Sequence, residues 1–185
     1  MELKKSIQSI KDIKKFKDKK PDWRDIIDSI DAARFAPMAG NNYSLKFIIV
    51  DDKDKIQKIT DSTQQSFISQ ASYVVVVCSD PTRTMNAYKE KGEIYLRQQA
   101  GAAIQNFLLK LKEVGLSTCW IRLFVEEQIK RELNIPEKIN VEAIFPIGYE
   151  HPRAYPKKEN IELDRILYFN KYGNKKMKNP KELNV

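Results

Sequence analysis

The long helix predicted over residues 88–114 is the sequence feature that most restricts the fold. It is predicted to stop at Gly115, because glycine readily takes the left-handed backbone conformation of a helix C-cap. Its second half is apolar on more than one side, with Ala100, Ile104 and Phe107 among the residues that cause this. Such a helix must be covered on several sides, so it is predicted to pack against a sheet or another subunit.

Short apolar runs bounded by polar segments predict strands on either side of this helix. The predicted strands lie at residues 47–50, 73–78, 116–121 and 141–147. Predicted helices lie at residues 2–11, from the cap at Asp22 to Ala36, and at 125–133, with one or two short helices between 50 and 73 and a short element over 161–169. Strands that alternate with helices favour a layered α/β or α+β domain.

The composition of the 185 residues fits one globular domain, since 42% are hydrophobic and 31% charged. These fractions exclude a wholly disordered chain and a collagen-like one. The longest apolar run, Val74 to Cys78, is far shorter than the ~20 residues of a membrane span. The charged start has no apolar signal core, and two cysteines are too few for a disulfide framework, so we expect a cytoplasmic protein.

The net charge of +8 is concentrated at the two ends of the chain. Residues 1–20 hold eight lysines against three acidic residues, and residues 171–185 hold five lysines against one. The body between them is close to neutral, so we predict a single domain over 1–170 and a basic C-terminal tail over 171–185. Basic ends favour an anionic partner such as a phosphate ligand, nucleic acid or a membrane surface, although a solvated lysine-rich periphery explains the same charge.

Motifs of side-chain catalysis are missing from the sequence. His151 is the single histidine, and its polar surroundings favour a surface position over a catalytic one. The chain has no nucleophile elbow and no glycine-rich phosphate loop, and it predicts no metal site. The carboxylate pair Glu126-Glu127 falls at a helix N-terminus, where it favours the helix dipole.

Five segments, in order along residues 5–172, carry a resemblance to a known family. They are the basic stretch 10–16, the loop 33–41 (ARFAPMAGN), the helix 99–109 (QAGAAIQNFLL), the strand region 113–121 (EVGLSTCWI) and the strand 145–149 (FPIGY). Together they resemble the FMN-dependent nitroreductase family.

The resemblance implies an α+β fold in three layers, with a mostly antiparallel central sheet flanked by helices. It also implies a homodimer with FMN in the interface and a C-terminal segment exchanged with the partner. NADH or NADPH would reduce the flavin, leave, and be replaced by a nitroaromatic, quinone or flavin acceptor in a ping-pong hydride transfer. The family's dehalogenating and flavin-cleaving branches would change the reaction, but no inserted lid sequence points to either.

Basic residues near FMN follow from the same resemblance. Lys11, Asp12 and Lys14 fall on the family's basic motif, and Lys157 and Lys158 fall near its second basic pair. The FMN phosphate needs cationic or N–H donors. Lys14 would give electrostatic support at flavin N1 and O2, where a reduced flavin accumulates negative charge, so no side chain need act as an acid or base.

The remaining site residues are predicted around the flavin ring. Gln65 matches a polar ring ligand, with Gln64 as the alternative, and the turn at Arg122 and Leu123 would present a backbone N–H to flavin N5. A guanidinium at Arg122 could attract acidic substrates or point outward. The partner subunit would supply Pro37, Met38, Ala39 and Asn41.

Three residues depart from the family pattern, namely Ile10, Asp12 and Met38. If these residues take the family's places, they would weaken FMN binding or rearrange the phosphate pocket. The competing hypothesis is a flavin-poor basic dimer that binds nucleic acid or another polyanion, although no basic motif interleaved with aromatic residues supports it. The sequence therefore favours the flavin enzyme, with a small-molecule acceptor, no membrane and no nucleic acid as partners.

Overall fold

The computed structural model describes residues 3–152 and 161–177. The helices are α1 (Leu3–Ser9), α2 (Trp23–Ala33), α3 (Lys53–Thr63), α4 (Thr82–Tyr88), α5 (Gly92–Glu113) and α6 (Glu126–Leu133). The strands are β1 (Leu45–Val50), β2 (Tyr73–Ser79), β3 (Ser117–Thr118) and β4 (Asn140–Gly148), and short 3₁₀ turns lie at Ala39–Asn41, Ser66–Gln70, Lys89–Lys91 and Leu163–Arg165.

The four strands form one antiparallel sheet in the order β1-β2-β4-β3. β2 is central, and all seven of its residues are buried because helices cover both faces of the sheet. Its alternate side chains separate two cores: Val75 and Val77 pack with α2 and α5, and Val74 and Val76 pack with residues of α3 and α6. The predicted α+β fold, with a mostly antiparallel sheet between two helical layers, is confirmed.

The predicted helix over 88–114 is wrong at its start. α4 ends at Tyr88, and α5 begins only at Gly92. Between them Lys89 has φ 52° and ψ −131°, a conformation that breaks the helix. Gly92 then packs so closely on α4 that a Cβ there would lie 2.8 Å from the carbonyl oxygen of Thr84.

The C-terminal end of α5 is as predicted. Gly115 has φ +81°, and Leu116 N–H donates to the Leu111 carbonyl at 2.9 Å, which closes the last turn. The predicted strand 116–121 is shorter, because only Ser117–Thr118 pairs continuously with β4 and Ile121 forms one further bridge to Ile144.

The chain separates into two compact units, Met1–Pro152 and Arg153–Val185, and the division into a domain over 1–170 and a basic tail over 171–185 stays a prediction. Within that unit Phe169 N–H donates to the Asn174 carbonyl and the Asn174 side chain donates back to Phe169, both at 2.8 Å. The rings of Tyr168 and Tyr172 lie 4.7 Å apart on this turn. Among the described residues, no helix has the length and apolar character needed to cross a membrane.

Candidate active site

The segment 12–17 extends the sheet beyond its last strand. Ile13 N–H donates to the Thr118 carbonyl at 2.9 Å, and Lys17 N–H donates to the Tyr149 carbonyl at 2.9 Å. Ile13 and Phe16 are buried, and a Cβ on Gly148 would lie 2.7 Å from the Phe16 ring. The segment therefore runs along the edge of the sheet without forming a strand of its own, with one bridge from Phe16 to Glu150, and its buried apolar side chains hold it there.

Asp12 connects this edge segment to the chain beside it. Its carboxylate accepts a hydrogen bond from the backbone N–H of Trp120 at 3.1 Å. Burial, and after it the negative charge of Asp12, raises the pKa of the Cys119 thiol to about 12. Asp12 thus faces residues 119 and 120, where it anchors the backbone that leads into the turn at Arg122.

Trp120 carries a polar atom that the described residues leave unsatisfied. Its ring packs on Phe145, with centroids 5.9 Å apart, while the indole Nε1 is buried without a hydrogen-bond partner in the described part of the chain. Buried polar groups are nearly always hydrogen-bonded, so each exception needs an explanation. An acceptor atom of a bound ligand would satisfy this donor.

Two of the predicted site cations have no carboxylate partner within ion-pair distance among the described residues. The Arg122 guanidinium lies 5.2 Å from the centroid of the Trp120 ring, and Lys14 Nζ lies 5.7 Å from that of Phe67. Lys11, in contrast, forms a 2.6 Å ion pair with Glu150, which compensates its charge. Positive charge that could meet an anionic ligand therefore belongs to Lys14 and Arg122.

Gln65 lies two residues before Phe67, the ring that Lys14 contacts. It follows Gln64, which ends α3 with φ +53°, and its N–H donates to the Thr63 hydroxyl at 3.2 Å. It precedes the turn that contains Phe67, whose ring Lys14 contacts. Leu123, the residue after Arg122, is 79% exposed.

A side chain of helix α5 holds the loop 37–44 in place through two hydrogen bonds. The buried Gln99 side chain accepts from Ser44 N–H at 3.0 Å and donates to the Asn42 carbonyl at 3.1 Å. Gly40 has φ +56°, and a Cβ there would lie 2.5 Å from the Tyr88 hydroxyl. Glycine is therefore required where the loop crosses this tyrosine.

Trp120, Arg122, Lys14 and Asp12 are called the Trp120 cluster. Within one chain, the structure does not bring the loop 37–44 to this cluster. The loop leads into β1 at one edge of the sheet, and Trp120 follows β3 at the other. A row of rings spans the distance, with centroid separations of 6.2, 5.5 and 5.9 Å along Phe47, Phe107, Phe145 and Trp120. The predicted site residues thus form two groups: the loop residues Pro37, Met38, Ala39 and Asn41, and the edge residues Lys11, Asp12, Lys14, Gln65, Arg122 and Leu123.

Two predicted residues, Lys157 and Lys158, lie outside the described residues. Over residues 3–152 and 161–177 there is no group of three His, Cys, Asp or Glu side chains that could hold a metal ion. The sequence analysis missed the roles of Trp120 and Gln99, which it assigned only to a strand and a helix. The signal for Trp120 was an aromatic ring two residues before Arg122, since side chains two residues apart in an extended segment lie on one side.

Comparison with known proteins identifies the family. The sequence model of the nitroreductase family matches residues 7–70 and 60–149. A protein of Archaeoglobus fulgidus, named provisionally as an NADH dehydrogenase/NAD(P)H nitroreductase, is 28% identical over 169 residues, which cover 88% of this chain and 94% of that protein. An iodotyrosine deiodinase of Thermotoga neapolitana is 26% identical, over 82% of this chain and 91% of its own.

Solved structures show the same similarity. A nitroreductase family protein of Clostridium novyi has a TM-score of 0.75 at 28% identity, covering 94% of this chain and 96% of that one. An FMN-dependent nitroreductase of Clostridium difficile has a TM-score of 0.75 at 26% identity, covering 90% and 98%. The family model spans most of the first unit, so the predicted resemblance is confirmed and the chain belongs to the nitroreductase family.

Proposed function

We propose that the protein is an FMN-dependent oxidoreductase that takes reducing equivalents from NADH or NADPH and passes them to a nitroaromatic, quinone or flavin acceptor by a ping-pong mechanism. Family membership and the similarity to an FMN-dependent nitroreductase support this function. The observation that carries the proposal is the buried indole N–H of Trp120, which has no acceptor among the described residues. Lys14 and Arg122, which have no carboxylate partner there, add positive charge to this part of the chain.

The described residues fit FMN. The cofactor has acceptor atoms that could satisfy the indole N–H of Trp120, and both its phosphate and its reduced ring are anionic, which suits Lys14. When bound, FMN supplies the hydride chemistry. Lys11 contributes less positive charge to the phosphate than the sequence suggested, because Glu150 is its ion-pair partner.

The protein's own contribution is positioning and electrostatics. Asp12 fixes the backbone at Trp120, and the paired N–H and carbonyl groups of Ile121 and Ile144, at 3.0 and 3.1 Å, fix the next residue. The backbone N–H of Arg122 follows directly and would be held in place to donate to flavin N5. Lys14 would place its positive charge where the reduced ring accumulates negative charge.

A homodimer would complete the site. In one chain the loop 37–44 and the Trp120 cluster lie at opposite edges of the sheet, so one flavin can meet both only if a second copy supplies the loop. The first unit exposes large apolar side chains that a partner would cover, namely Leu3, Ile7, Trp23, Ile27, Phe35 and Ile94. A Cβ at Gly101 of α5 would meet nothing within 4 Å, which leaves room for close helix approach.

The test is the visible spectrum of the purified protein, with mass spectrometry of the ligand that heating releases. We expect bound FMN, bleached by NADH or NADPH without oxygen and restored by menadione. Lys14→Gln should slow the bleaching, whereas Lys53→Gln, an exposed lysine at the start of α3, should not. Failure to bind FMN on reconstitution would overturn the proposal, and a colourless protein with salt-dependent DNA affinity would favour the polyanion binder.

A further inference from the structure

Arg122 lies over the Trp120 ring at the candidate site, and the position of this ring is fixed. Trp120, whose ring it covers, is fixed by the hydrogen bond to Asp12 and by packing on Phe145. Ile121, between them, is buried and paired on both backbone groups with Ile144. The backbone that leads into Arg122 is therefore fixed, and the guanidinium of this exposed residue lies over the fixed Trp120 ring.

The N–H donors of the Arg122 guanidinium have no acceptor among the described residues, and the contact with the Trp120 ring is the one interaction this side chain makes there. A guanidinium carries five N–H donors in one plane, in a fixed fork geometry. No carboxylate lies within ion-pair distance of Arg122 among the described residues, as also holds for Arg83 and Arg165, but Arg122 alone of these three lies over the Trp120 ring. Arg122 thus presents a planar fork of donors to a ligand.

We propose that Arg122 selects electron acceptors that carry a carboxylate, an inference that rests on the proposed function. A carboxylate matches the planar fork with two parallel hydrogen bonds. The neighbouring Leu123 side chain, 79% exposed, offers apolar contact for the body of the same molecule. The substrate class is an aromatic acceptor with an anionic end, such as a nitroaromatic or quinone carboxylate.

The test compares two acceptors of the same shape, 4-nitrobenzoate and 4-nitrobenzamide, on FMN-loaded protein. The ratio of their kcat/KM values should favour the anion in the wild type and fall about tenfold in Arg122→Gln, mainly through KM. The ratio in Arg122→Lys should lie between those of the wild type and Arg122→Gln, because lysine keeps the positive charge and loses the planar fork of donors. The matched control is Arg131→Gln, the same change on α6, which should leave the ratio unchanged.

A second measurement does not depend on turnover. Calorimetry should show that benzoate binds more tightly than benzamide, and that Arg122→Gln removes the difference. Equal ratios in wild type and Arg122→Gln would overturn the proposal. So would a tenfold loss of FMN affinity in Arg122→Gln with the ratio intact, since it would assign Arg122 to the cofactor.

FMN content and reduction by NADH are measured first, which separates the two proposals. If either is absent, the oxidoreductase proposal fails. If both are present and the anion is not preferred, only the assignment of Arg122 fails.

Discussion

Replacing Asp12 tests whether its carboxylate anchors the site or opposes the cofactor phosphate. Asp12→Ser removes the carboxylate that accepts the backbone N–H of Trp120. This charge-assisted hydrogen bond is open to water, so its loss should lower the free energy of unfolding by about 1 kcal/mol. With an unfolding entropy of about 2.1 cal/mol/K per residue, Tm should fall by about 2–3 °C in calorimetry. FMN affinity should stay unchanged or weaken, because the turn at Arg122 loses its support.

Two further variants make the result decisive. Asp12→Asn keeps an acceptor oxygen and removes the charge, so its Tm should stay close to the wild-type value. Asp18→Ser removes a charge from the same segment as a control. A carboxylate 4–6 Å from a phosphate would repel it by about 1 kcal/mol in a wet site and more in a drier one. Tightening of FMN by tenfold or more in both Asp12 variants, but not in Asp18→Ser, would refute the anchoring role.

Three other predictions concern stability and reactivity. Lys89→Gly should raise the free energy of unfolding by about 1 kcal/mol, because the backbone angles at this position, φ 52° and ψ −131°, suit glycine. Urea titration checks this, and an equal rise in the free energy of unfolding of Lys89→Ala would contradict it. Gln99→Leu should lower Tm and weaken FMN binding, since it removes both hydrogen bonds to the loop, whereas the exposed Gln98→Leu should do neither. Burial raises the pKa of Cys78 to about 11 and of Cys119 to about 12, so neither thiol should react with Ellman's reagent at pH 8. Stability should fall as pH rises above about 9, because only the unfolded thiols ionise there, and constant stability up to pH 11 would count against this burial.

Local patterns predicted much of the fold. β2 was visible because a strand buried on both faces has a continuous apolar run, and Gly115 marked the end of α5. The break at Lys89 was not predictable, because lysine is a good helix former and its backbone is forced by the packing of Gly92 on α4.

Contacts between distant segments explain what the sequence left open at the site. The basic stretch 10–16 was predicted as a ligand-binding motif, yet its backbone also extends the sheet through Ile13 and Thr118. Asp12 was predicted as a member of the basic motif that departs from the family pattern, and its carboxylate accepts the backbone N–H of Trp120. Neither pairing leaves a trace in spacing or composition, since the partners are about a hundred residues apart.

The placement of the loop 37–44 and the Trp120 cluster at opposite sheet edges has a genetic consequence for the proposed dimer. One defective copy carrying Gln99→Leu and another carrying Lys14→Gln would each be impaired at every site of its own homodimer. A mixed dimer would combine both lesions in one site and leave the other site intact. Two damaged alleles expressed together would then recover part of the activity that neither supports alone.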